Sequence, residues 1–338
     1  MEGSATAMRL LVFCTLLLAA ACSRTPEPGP SPQQSSPAKL AESSPPPAGA
    51  APFRFEAKGR IVAIGDLHGD LASTRQALRL AGAIDDKDHW VGGELTLVQT
   101  GDQLDRGDQE REILELLQRL TDEAKRAGGS VHVLNGNHEI MNVAADLRYV
   151  TAGGLKQFAD FSGSSDAHPD LGRVPSDARG RYLAFAPGST YARQLATRNV
   201  VSVVGDTVFS HAGVSLKYVR YGLGRLNDEV SRWMRGETRE PPALITEQDS
   251  PVWTREYGGE LTPEICQRVD VVLRELGVQR MVVGHTVQER GITSGCSGKV
   301  FRIDVGLSDY YGNKPTQVLE LDAGRAAVLD AATSGKER

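Results

Sequence analysis

The chain has 338 residues, a formal net charge of −5, 40% hydrophobic and 24% charged residues. This is ordinary globular composition with ample apolar material for a core. The mild acidity excludes a protein that binds nucleic acid by neutralising many phosphates, but not one that meets a single phosphate through a bound metal. Cys14, Cys22, Cys266 and Cys296 form no CxxC pair, which excludes a thiolate zinc site.

In chain order, Arg9 precedes an uncharged apolar run from Leu10 to Ala21. A basic start, a short hydrophobic stretch and small residues have the shape of a signal peptide, and the run is shorter than the ~20 residues a spanning helix needs. It ends Leu18-Ala19-Ala20-Ala21-Cys22, which resembles a bacterial lipobox, with Ala19 where leucine is commonest. The alternative is plain secretion after Ala21. Residues 1–22 are thus expected to be a signal peptide ending in a lipid anchor on Cys22. That would place the protein outside the cytoplasm, membrane-anchored and facing periplasm or exterior, or soluble there if no lipid is added. Residues 23–52, with Pro45-Pro46-Pro47 near their end, are too poor in core-forming residues to fold and predict a disordered linker. The folded part is expected over 53–338.

Arg60–Ile64 reads as a buried strand, Leu71–Ala81 as a helix and Glu94–Gln99 as a second strand. Glu110–Lys125 is an amphipathic helix with Ile113, Leu114, Leu117 and Leu120 on one face, stopped by Gly128-Gly129. Ser130–Leu134 is a third strand. Residues 140–198 are repeatedly broken by glycine, serine and proline and predict helical pieces and loops over one side of a site. Val200–Val204 and Thr207–Ser210 predict a hairpin turned by Gly205-Asp206. Thr262–Leu276 predicts a helix with Pro263 in its first turn, and Arg280–Val283 a strand. Val300–Val305, Gln317–Leu321 and Ala326–Leu329 predict the closing strands of a second sheet. The alternation of strand, loop and helix defines an α/β protein with parallel strands, whose ligands sit at strand carboxyl ends. Cys266 and Cys296 either form a disulfide in an oxidising compartment or stand as free thiols.

Every notable polar cluster falls at such an end. Gly65-Asp66-Leu67-His68-Gly69-Asp70, Gly101-Asp102-Gln103-Leu104-Asp105-Arg106-Gly107 and Asn135-Gly136-Asn137-His138-Glu139 each follow an apolar strand, and His211 and His285 end two later ones. A pair of cations roughly 3.5–4 Å apart needs one shared anionic oxygen, and Asp102, from a middle strand, suits this. Asp66 and His68 can grip one ion from a single tight loop; Asn137 and the two late histidines can hold another. Mixed carboxylate, amide and imidazole donors suit Mn, Fe or Zn better than calcium. His89, His132 and His168 match no motif.

These segments resemble the GDxHG, GDxxDRG and GNHE motifs of the calcineurin-like metallophosphoesterases of phosphoprotein-phosphatase type, with both histidines in order. The match spans Gly65 to His285. The resemblance implies a four-layer αββα sandwich with mixed sheets and helices outside. It implies two divalent or trivalent metal ions, one held by Asp66, His68 and Asp102, the other by Asp102, Asn137, His211 and His285, with a bridging water or hydroxide as nucleophile. His138 would be the general acid, Asp105 would orient it, and Arg106 would clamp phosphoryl oxygens. Gly136-Asn137-His138-Glu139-Ile140-Met141-Asn142 and Ser250-Pro251-Val252-Trp253-Thr254-Arg255-Glu256-Tyr257 further resemble the Shewanella-like phosphatase branch and suggest Arg255 as a second phosphate ligand. The implied substrate is a phosphorylated protein, peptide or small phosphomonoester, on Tyr or on Ser/Thr. Alternatives sharing the metal core are a diadenosine tetraphosphate hydrolase or phosphodiesterase, and a non-catalytic metal-binding lipoprotein scaffold.

Overall fold

Eleven strands carry the architecture of the computed structural model, which describes residues 52–163, 169–312 and 314–331. They are β1 (Arg54–Phe55), β2 (Ile61–Ile64), β3 (Thr96–Gln99), β4 (Ser130–Val133), β5 (Val201–Val204), β6 (Thr207–Ser210), β7 (Arg280–Val283), β8 (Thr293–Gly295), β9 (Val300–Arg302), β10 (Gln317–Asp322) and β11 (Arg325–Asp330). They form a five-stranded sheet of order β11-β10-β2-β3-β4 and a six-stranded sheet of order β1-β5-β6-β7-β9-β8. The expected signal peptide with Cys22, the greater part of the Pro-rich segment and His168 lie outside the described residues.

Side-chain alternation along the strands builds the layers. In β2, Ile61 and Ala63 face one apolar cluster while Val62 and Ile64 face another. In β7, Val282 joins the first of these while Met281 and Val283 join a third. The shared cluster, with Ile61, Val98, Leu134, Phe209, Val282, Ile303 and Leu319, draws on both sheets and is the seam between them. Outside the five-stranded sheet, Val62, Ile64 and Leu97 pack on Leu78 of the helix Leu71–Leu80 and on Ile113, Leu117 and Leu120 of the helix Glu110–Ala127. Outside the six-stranded sheet, Val201, Val208, Met281 and Val283 pack on the helices Leu223–Met234 and Pro263–Leu276. Three interfaces between four layers make the αββα sandwich. Both faces of the central strands are buried, which is why they read as unbroken apolar runs.

Local chemistry explains the element ends. Asp70 caps the helix Leu71–Leu80 by accepting from Ser73 N at 2.9 Å. Gly128, at φ 88°, ends the helix Glu110–Ala127. Gly205, at φ 58°, turns the β5–β6 hairpin, in which Val204 pairs Thr207. The broken segment forms the short helices Asn137–Val143, Ala152–Lys156, Arg179–Phe185 and Thr190–Leu195.

One expectation is corrected. Only β9 of the three closing strands joins the six-stranded sheet; β10 and β11 belong to the five-stranded one, β10 pairing antiparallel with β2 through Leu319 and Ala63. The free edge of β2 supplied the partner, and a strand's apolar pattern does not encode which edge it meets. The Val300–Val305 strand also ends early, at Arg302. Cys266 and Cys296 form a disulfide, with Cα atoms 5.1 Å apart, tying the helix Pro263–Leu276 to the turn after β8.

Candidate metal centre and active site

Parallel pairing of β2, β3 and β4, and of β6 and β7, gives each set its carboxyl ends on one side. The loops there cross the seam. His211 Nδ1 lies 3.1 Å from Thr100 O, and Asp66 accepts from His285 N at 3.2 Å. His68, Asp102, Asp105, Arg106 and His285 all have positive φ, from 46° to 69°, a conformation uncommon in residues that carry a side chain. Gly136 and Gly284 permit the convergence: a Cβ at the first would collide with Asp102 Oδ1, and at the second with Asp66 Oδ1.

The six expected ligand residues meet. His211 Nε2 is 2.8 Å from Asn137 Oδ1, 3.0 Å from His285 Nδ1 and 3.2 Å from Asp102 Oδ2. With the Nδ1 proton of His211 directed at Thr100 O, its Nε2 presents a lone pair to a carboxylate oxygen, an amide oxygen and a second imidazole nitrogen. Three of these atoms, His211 Nε2, Asn137 Oδ1 and Asp102 Oδ2, are acceptors with no proton between them, so a cation fits them, and His285 Nδ1 lies beside them as a fourth candidate ligand atom. On the other side of Asp102, His68 donates from Nδ1 to Leu104 O at 3.0 Å. This turns His68 Nε2 toward Asp102 Oδ2 at 3.7 Å and Asp66 Oδ2 at 3.9 Å. Asp102 is common to both groups. Donor atoms of Asp102, His211 and His285, and of His68, Asp102 and His138, lie within 4.8 Å of one another.

The electrostatics match that chemistry. Burial lowers His68 to about 3, and burial followed by the neighbouring His211 holds His285 far below the usual imidazole range. Both are therefore neutral, as ligands must be. Burial raises Asp66 well above the ordinary carboxyl range, with Asp304 and Asp102 adding to it. Asp102 is buried too, but the imidazoles of His211 and His138 outweigh that and keep it ionised.

His138 stands beside the cluster, its Nε2 3.7 Å from Asp102 Oδ2. Its Nδ1 is bonded to Asp105 Oδ2 at 2.5 Å. Burial acts to lower its pKa, but Asp102 and Asp105 together raise it above the usual value, so the ring holds a proton near neutral pH. Arg106 is half-buried, its Nη1 2.7 Å from His68 Nε2. Tyr149, Tyr310 and Tyr311 surround its guanidinium at 5.4, 5.6 and 5.4 Å, within cation–π range. Arg255 is exposed, 3.4 Å from Thr286 Oγ1, and its charge is among those that hold His285 low.

Several residues here had no sequence signal. Tyr149 and Tyr310 remain 43% and 61% exposed at the rim. Asp304 is buried, accepts from Gly306 N at 2.9 Å through Oδ1, and leaves Oδ2 without a partner; burial raises it to about 6. Asn142 and Arg181 bond Asp105 at 3.0 and 3.2 Å. Asn142 lies in the Gly136–Asn142 segment that resembles the Shewanella-like branch, but the other four fit no motif.

A two-sheet sandwich with this donor set at its strand ends defines a metal-using phosphoesterase. Residues 59–289 match the calcineurin-like phosphoesterase family, and the chain belongs to that family, as a phosphoester hydrolase of phosphoprotein-phosphatase type in the Shewanella-like branch. It is 40% identical over 298 residues to Shewanella-like protein phosphatase 2 of Arabidopsis thaliana, covering 79% of this chain and 76% of the relative. It is 27% identical over 275 residues to Shewanella-like protein phosphatase 1 of Plasmodium berghei, covering 78% and 72%. Among solved structures, a cold-active protein tyrosine phosphatase superposes with a TM-score of 0.67 at 26% identity, covering 82% of this chain and 78% of that one.

Proposed function

We propose that this phosphoester hydrolase is a protein phosphatase with a preference for phosphotyrosine, acting outside the cytoplasm. The observation that carries the metal-dependent reading is the close approach of three acceptor atoms, Asp102 Oδ2, Asn137 Oδ1 and His211 Nε2, with no proton between them and His285 Nδ1 3.0 Å away. Asp66, His68 and Asp102 would hold one ion and Asp102, Asn137, His211 and His285 the other, both drawn from Mn, Fe or Zn. Bound ions would acidify water and neutralise phosphoryl charge.

The remaining steps belong to the chain's own groups. Arg106 aims a planar fork at the phosphoryl oxygens, and Arg255 offers a second cation on the His285 side. His138 donates the Nε2 proton to the leaving oxygen, a contribution typically worth about 10²- to 10⁴-fold. Asp105 holds the other ring nitrogen and fixes the imidazole's orientation. The preference for an aromatic ester rests on Tyr149 and Tyr310, which line the approach to Arg106 and stay exposed. The solved protein tyrosine phosphatase is similar over most of its length, which supports the same reading.

Export rests on the apolar run Leu10–Ala21, and anchoring on Cys22. The Cys266–Cys296 bridge supports an oxidising compartment. The catalytic unit would be residues 53–338. Among the described residues no helix is long and apolar enough to cross a membrane. A Cys22→Ala protein that fractionates with membranes as the native one does would remove the anchor from this reading.

The deciding assay is a phosphopeptide panel with and without chelator, run beside His138→Asn. A metal-dependent kcat/KM higher on phosphotyrosyl than on phosphoseryl peptides, reduced by Tyr149→Ala, is expected. Faster turnover of bis(4-nitrophenyl) phosphate than of any monoester would make the protein a phosphodiesterase instead.

A further inference from the structure

Arg181 lies on the short helix Arg179–Phe185, within the broken segment, and is wholly buried. A buried guanidinium without partners is very costly, and this one is fully engaged. Its Nε donates to Asn142 Oδ1 at 2.8 Å, and its Nη1 to Gly154 O at 3.1 Å and to Glu110 Oε2. Its Nη2 donates to Glu110 Oε1 at 3.0 Å and to Asp105 Oδ1 at 3.2 Å. The rings of Phe158 and Phe185 flank it at 5.2 and 5.1 Å.

The division of labour on Asp105 is specific. Its Oδ1 is taken by Arg181 Nη2 and Asn142 Nδ2, and its Oδ2 by His138 Nδ1. One oxygen is thereby pinned to the scaffold and the other dedicated to the imidazole. Glu110 matters to the balance. It takes two of the guanidinium contacts and also accepts from Asp105 N. The guanidinium of Arg181 is thus shared between two carboxylates, one of which also holds the main chain of Asp105.

We propose that Arg181, braced by Glu110 and Asn142, is a positioning residue for proton donation: it fixes the Asp105 carboxylate that aims His138 at the leaving oxygen. The inference rests on His138 as the general acid. The bland alternative is a buried ion pair that merely pins the helix Arg179–Phe185 to the core.

The two differ in leaving-group dependence. An ester whose leaving group departs without a proton, such as 2,4-dinitrophenyl phosphate, gains little from a general acid; phenyl phosphate gains much. Arg181→Met is expected to lower kcat on phenyl phosphate by about 30- to 100-fold and on 2,4-dinitrophenyl phosphate by less than about 5-fold, at unchanged metal content. Arg181→Lys keeps the charge without the planar fork and is expected to show the same selective loss, smaller in size. It carries the comparison if Arg181→Met does not accumulate as folded protein. Equal losses on both esters, or no loss, would overturn the inference. His138→Gln is the reference. If His138→Gln is itself unselective, the general-acid reading fails. If it is selective and the Arg181 variants are not, only the role of Arg181 fails.

Discussion

Glu139 holds Asp102 by the main chain: its Oε2 accepts from Asp102 N at 2.8 Å and from Gly136 N at 2.7 Å. Its Oε1 accepts from Gln103 N at 2.9 Å and Leu104 N at 3.2 Å. One carboxylate thus joins the loop after β3 to the start of the helix Asn137–Val143, and so fixes the distance between Asp102 and Asn137. Glu139→Ala would leave four buried N–H groups without an acceptor, at an expected cost of about 3 to 5 kcal/mol in unfolding free energy. Glu139→Gln keeps one acceptor oxygen but turns an NH2 donor on the other pair of N–H groups, so it should lose at least half as much. Chemical denaturation reads both; a loss under about 1 kcal/mol for Glu139→Ala would show that the clamp is not structural.

The disulfide closes a loop between Cys266 and Cys296, 30 residues apart. Restriction of the unfolded chain by such a loop is worth about 3 to 4 kcal/mol. Cys266→Ser with Cys296→Ser should lower stability by about that amount and leave the metal-site residues in place, since the bridge joins the helix Pro263–Leu276 to the turn after β8. Unchanged denaturation midpoints with and without reductant would contradict this.

His132 on β4 gives a pH signature separate from the site. Its ring packs 4.4 Å from Phe55, and its Nε2 is buried without a partner. Burial lowers its pKa from 6.5 to about 4. Between these values the unfolded chain binds a proton that the folded chain refuses. Stability is therefore full above about pH 6.5 and falls as pH drops toward 4, by about 2 to 3 kcal/mol after allowance for partial exposure. His132→Gln should flatten this part of the stability curve. A variant with the native acid slope would refute it.

The sequence was most legible where function is compact. Asp66 with His68, Asp102 with Asp105 and Arg106, and Asn137 with His138 each share one short loop, so their order alone recorded the site. Arg181 and Glu110 were invisible for the opposite reason. Glu110 reads as an ordinary acidic start of an amphipathic helix, and Arg181 sits in a segment without periodicity; burial of both follows only from long-range packing. The same limit governed β10, whose apolar alternation identified a strand but not the edge of β2 as its partner. Cys266 and Cys296 carried no geometry until the helix and the β8–β9 turn came together.

The central claim is that Asp102 is shared between two cation sites. Elemental analysis of purified protein, alongside Asp102→Asn, tests it most directly. Native protein should carry about two transition-metal ions per chain, and the variant should lose both most of its metal and at least about 10³-fold in kcat. Full turnover of a phosphomonoester by protein that binds no metal, or an Asp102→Asn chain with native metal content and rate, would contradict it.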